Sequence, residues 1–308
     1  MTNQILPSER FPDTGQNPAN SELRAGAELS LTGDAAHHVI FRRLQGHPAA
    51  QVLLREVYDF YGNDLSYIES NDFTSNLYAI HLHHDPAALK SAVIQLQLGT
   101  NRTVEALTHE LLHLHLPMLG FPLGELTEIP ILLDHYAREL IGMLNWVVNA
   151  VHHEIIFQKF VTLGFHKEFF LSENVTPMGY LKLFESKSQE RHPREINFSR
   201  WCIEYVRHLF SARHGGGRDY LRYAQDSLNW GSRIHPELKQ TAANIDQWVE
   251  AGVFKNPDHY PRQVNLLLEL MRIPKYTGWV TLKRSKYGKT IAVRSDTQDG
   301  LRGEIQAP

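Results

Sequence analysis

Hydrophobic positions along the chain change their period twice. Over residues 35–44, and again after Pro48 with Val52, Leu53, Val57 and Phe60, apolar residues fall at three- and four-residue steps, the spacing of one helical face. Asp34 is placed to cap the first of these helices and Gly62 to end the second. From Leu65 the step shortens to two. Residues 65–69, 77–83 and 92–98 read as three short strands, with Asn71-Asp72 and Asp85-Pro86 in the turns. The helical period then returns. Residues 102–107 are helix formers with Thr100 or Asn101 as a cap, and Pro117 and Gly120 mark the end. A long helix follows over 129–160, carrying Leu132, Leu133, Tyr136, Leu140, Leu144, Val147, Val151 and Ile155, with Pro130 in its first turn and Gly164 as its stop. Helical spacing recurs over 201–212, 220–228, 236–253 and 261–272, and residues 279–282 and 290–293 flank Tyr287-Gly288 as a hairpin. Gly215-Gly216-Gly217 lacks the spacing of a phosphate loop and is expected to be a flexible connector.

These elements predict an α+β fold that is predominantly α-helical. A small three-stranded sheet packs on the helix that ends at Pro117, and a helical region follows. Residues 1–30, rich in Pro, Asn, Ser and Glu without periodicity, read as a flexible leader. The expected division is this leader, a unit over 31–170, a helical region over 171–275, and a hairpin with a tail over 276–308.

Composition narrows the class. Apolar residues make up 42% of the 308 and charged residues 21%, ordinary for a globular chain. A net charge of −3 gives no case for a nucleic-acid partner or an anionic membrane surface. The single cysteine, Cys202, rules out an intramolecular disulfide and suits a reducing compartment, so a cytoplasmic location is expected. Residues 1–7 lack the apolar core of a signal peptide, and no run of eighteen apolar residues offers a membrane span.

The chemistry centres on His109-Glu110-Leu111-Leu112-His113, an HExxH pattern. Residues four apart share a helix face, so His109 and His113 can aim two imidazoles at one ion, with Glu110 beside them to handle water. That arrangement points to Zn²⁺ and to Glu110 as a general base. His115 faces another way. His81, His83 and His84 cluster on the second expected strand and its turn, where a solvated edge is the simpler account.

A helix, a small sheet, an HELLH helix and a second long helix together resemble the zincin metallopeptidase superfamily, over roughly residues 35–165. The resemblance implies peptide hydrolysis of a peptide or protein substrate, and a remaining zinc ligand on the second helix. His135, Glu139, His152, His153 and Glu154 lie there. Periodicity places Glu154 on the apolar stripe, where a carboxylate needs a charge partner or a metal, which would make the chain gluzincin-like. His153 lies on a second, partly aromatic face, with Asn149 one turn before it. Both remain open as the third ligand, ahead of Glu139 and His135. Tyr180, Tyr205, His208 and Tyr260 are candidate oxyanion donors. A rival reading is a helical interaction protein with a structural or vestigial zinc site.

Overall fold

The computed structural model of the chain describes residues 29–70, 92–97, 103–125, 137–170, 194–216, 218–285 and 290–296. Among them are eight α-helices: α1 (Gly33–Arg43), α2 (Pro48–Tyr61), α3 (Thr103–His115), α4 (Ala137–Thr162), α5 (Arg194–Ser211), α6 (Arg218–Ile234), α7 (Leu238–Ala251) and α8 (Tyr260–Leu270). Two three-stranded sheets accompany them, so the described chain is mostly helical with small sheets.

The first sheet has the order β1 (Leu29–Thr32), β2 (Leu65–Ser70), β3 (Ala92–Gln97). β1 runs antiparallel to β2 with Leu31 opposite Tyr67, and β2 runs parallel to β3 with Tyr67 opposite Ile94. The strands expected near 65 and 92 are present, whereas the one expected at 77–83 lies outside the described residues. β1 was not anticipated. It has four residues, and it starts inside the stretch expected to be leader. Its Leu-Ser-Leu-Thr alternation is too short to stand out as a period.

α1 also begins earlier than expected, at Gly33, with extended Thr32 at its N-cap. Thr32 rather than Asp34 is the N-cap, and it makes no side-chain cap hydrogen bond; the Asp34 carboxylate accepts the Tyr58 hydroxyl, tying α1 to α2. Tyr67 and Ile94 of the sheet, Ile40 of α1 and Leu54 and Val57 of α2 are fully buried in one continuous core, together with Leu107 and Leu111 of α3. α3 therefore packs against α1, α2, α4 and β3.

The second sheet joins distant parts of the chain. β5 (Gly278–Arg284) and β6 (Thr290–Asp296) form the expected hairpin, with Thr281 opposite Val293. On its other side β5 pairs antiparallel with β4 (Leu123–Glu125), with Trp279 opposite Gly124. Leu-Gly-Glu is a poor strand by propensity; β5 supplies the partner that makes it one. Gly124 is required there, because a Cβ would stand 2.5 Å from the Tyr276 ring. Among the described residues no helix is long and apolar enough to cross a membrane.

Candidate metal centre

α3 is two-faced. Leu107, Leu111, Leu112 and Leu114 are buried in the core. Thr108 is buried with them, and its hydroxyl is satisfied by the Val104 carbonyl one turn back, at 2.8 Å. Tyr61 of α2 donates its hydroxyl to the Leu114 carbonyl at 3.1 Å, which fixes the C-terminal end of the helix against α2. Burying the leucines leaves His109, Glu110 and His113 half-buried on the opposite side, toward α4. The helix ends as Pro117 and Gly120 predict, in a short 3₁₀ turn closed by Gly120 at φ +89°.

His153 of α4 meets the two histidines of α3. His109 Nε2 lies 3.1 Å from His153 Nε2 and 3.1 Å from His113 Nε2, and one nitrogen from each of the three lies within 4.8 Å of the others. A tetrahedral ion with metal–nitrogen bonds of about 2.0–2.1 Å separates its ligand atoms by roughly 3.3–3.4 Å. Three neutral nitrogens with no carboxylate among them suit zinc and its transition-metal neighbours rather than Ca²⁺ or Mg²⁺. Burial keeps His109 and His153 in the neutral form a metal needs. It lowers His109 to about 4, against an opposing hydrogen bond with the Phe170 backbone, and it lowers His153 well below the usual histidine range. Phe170 packs against both rings, with centroids 4.7 Å from His109 and 5.2 Å from His153. Burial also raises the Glu110 carboxyl to about 7.

Glu154 points elsewhere. Its carboxylate accepts from Arg213 Nε at 2.7 Å, meets His214 Nε2 at 3.1 Å, and has Lys255 Nζ at 3.7 Å. Burial works to raise its carboxyl, but the His214 hydrogen bond and the charges of His214 and Arg213 prevail and hold it down to about 2. Arg213 also donates to Glu250 at 2.8 Å. Arg213 and His214 belong to a π turn over Ala212–Gly216. Of the glycines expected to be a flexible connector, Gly215 and Gly216 are packed here, and Gly217 lies outside the described residues. Gly215 has φ +98°, and a Cβ on it would stand 2.5 Å from the Lys167 carbonyl oxygen. The close approach of the two backbones is what delivers His214 to Glu154. We expect Glu154→Gln to cost a sizeable part of the roughly 3–5 kcal/mol lost when a buried ion pair loses one partner. The exposure of Arg213, whose side chain is 33% accessible, reduces that cost. Urea denaturation of the purified variant measures it, and an unchanged midpoint would refute the assignment.

The remaining candidates separate clearly. His115 pairs with Glu56 at 3.4 Å, away from the cluster as expected. His152 is buried behind His113, with ring centroids 5.7 Å apart, and stacks on Tyr260. Tyr205 donates to Asp246 at 2.7 Å, and buried His208 lies 3.6 Å from Glu204. Tyr260 is fully buried. Tyr180, His135, His81, His83, His84 and the side chain of Glu139 lie outside the described residues. Sequence reasoning missed Phe170, Arg213 and His214. No periodicity marks them, and the only local sign was the unusual Gly215-Gly216-Gly217 that follows. No protein-family model matches the chain, and no curated protein and no solved structure matches it either.

Proposed function

We propose that the chain is a zinc-dependent metallopeptidase with Glu110 as its general base and His109, His113 and His153 as its metal ligands. The observation that carries this reading is the approach of His153, from a separate helix, to within 3.1 Å of His109. Three protein ligands with a fourth position open is the ligand set of catalytic zinc, whereas structural sites use four. A zinc ion held there supplies an electrophile and lowers the pKa of water. Glu110 follows His109 on the helix, and from that position it takes a proton from the attacking water and passes it to the departing amine. Phe170 and Phe157, whose rings lie 5.0 Å apart, form an apolar wall that limits water around the imidazoles.

One feature of the surroundings supports the peptidase reading. β3 packs directly on α3 and is an outer strand of the described sheet. A strand in that position can extend its ladder with a peptide, giving affinity through main-chain hydrogen bonds.

The test is elemental analysis of the dialysed protein followed by digestion of a broad peptide library. One zinc per chain is expected, with cleavage that stops on chelation and returns with added zinc. One tightly held zinc with no cleavage of any peptide would favour the helical interaction protein over the enzyme.

A further inference from the structure

Helices α5, α6 and α7 pack on one another and leave an open cavity of about 440 Å³ between them, beside the π turn that carries Arg213. Protein interiors are close-packed, and gaps much larger than a water are few. This one falls within the roughly 300–1,000 Å³ of small-molecule sites. None of the three histidines of the metal centre lines it.

The walls indicate the chemistry of an occupant. Ala224 and Val249 are buried and Leu209 is half-buried, so the inner wall is apolar. Leu221 is a further lining residue with 52% of its surface exposed, a large apolar side chain that an occupant would cover. The charged groups are unequal. Arg213 is engaged twice, with Glu154 at 2.7 Å and with Glu250 at 2.8 Å. Glu250 therefore has its cation already, and its side chain is 73% exposed. Asp246 differs. It is half-buried, and its hydrogen bond, at 2.7 Å, comes from the neutral hydroxyl of Tyr205. Among the described residues no cation pairs with it. A carboxylate has room for about four donors, and one phenol leaves most of that capacity open. An anion entering the cavity would have to take Arg213 from two carboxylates and meet Asp246 as a like charge. A cation breaks nothing, and it gives Asp246 a charge-assisted hydrogen bond.

We propose that this cavity binds a small organic cation, a primary amine on an apolar body, with its ammonium at Asp246 and its body against Leu209, Ala224 and Val249. An enclosed space of this size, rather than a flat face, suits a free small molecule. The site uses none of the metal ligands, so its fate is separate from that of the peptidase reading.

The full chain is titrated by calorimetry at pH 7, where alkylamines are protonated, with methylamine, hexylamine, 1-hexanol and hexanoate. Hexylamine should bind most tightly. Its affinity should exceed that of methylamine by tenfold or more, because each methylene fully buried is worth up to about fourfold. Asp246→Asn keeps an acceptor for Tyr205 and removes only the charge. It should weaken hexylamine tenfold or more and leave 1-hexanol unchanged. Leu221→Ser, at an exposed position, should weaken hexylamine and leave methylamine unchanged. Equal hexylamine affinity in the Asp246→Asn and unsubstituted proteins would place the amine elsewhere, the metal centre included, and overturn the inference. Tighter binding of hexanoate than of hexylamine would overturn it too, as would no detectable binding of hexylamine. Tighter binding of Nα-acetyl-lysinamide than of hexylamine would give the cavity to a lysine side chain of a partner instead of a free amine.

Discussion

Replacing Glu110 by Gln should leave the metal in place and remove peptide hydrolysis. Gln is nearly isosteric with Glu, and Glu110 is not among the three residues whose nitrogens converge. Zinc content per chain should therefore be unchanged. What the variant loses is a group able to accept a proton. General base catalysis contributes about 10²–10⁴-fold, so kcat should fall by at least that much with little change in KM. The split between the two constants matters, because damage to substrate binding would move KM instead. A metal-replete Glu110→Gln protein with full activity would remove Glu110 from the mechanism.

The second large effect is on metal binding itself. His153→Ala should weaken zinc binding by more than the roughly 10–100-fold that loss of an outer partner of a ligand costs. Competition with a chelator of known affinity measures it. Glu154→Ala provides the contrast. Its carboxylate is held by Arg213 and His214, so the variant should keep zinc at close to normal affinity even as it loses stability. Thermal melts add an independent readout. A ligand that binds only the folded chain stabilises it by about 4 kcal/mol at a thousand times its Kd. The rise in Tm on adding zinc should persist in Glu154→Ala and vanish in His153→Ala. The reverse pattern would make Glu154 the ligand.

Much of the architecture was legible because it follows local periods. α2, α3, α5, α7 and α8 carry apolar residues at helical steps, and their described bounds lie close to the expected ones, apart from about two further N-terminal turns on α5. β2, β3 and the β5–β6 hairpin follow the two-residue alternation in the same way. β1 and β4 were not legible, because strands of four and three residues carry too little period of their own. They exist through partners: β2 for the first, and β5, more than 150 residues away along the chain, for the second. The glycine run at 215 was misleading for a related reason. Composition suggests freedom, but the Lys167 carbonyl fills the space where a side chain would be.

The sequence by itself determined that His109, Glu110 and His113 share one face of a helix, since that follows from 3.6 residues per turn and from the leucines that bury the other face. It also determined that Glu154 needs either a charge partner or a metal, since a carboxylate on an apolar stripe is costly alone. Which of His153 and Glu154 would join the imidazole cluster was decided only by tertiary structure. Adjacent helical residues differ by about 100° of rotation, and that angle says nothing about which neighbour occupies which side. α3 lies on the side of His153, and the Arg213–His214 turn lies on the side of Glu154, so the imidazole meets imidazoles and the carboxylate meets a guanidinium and a histidine ring.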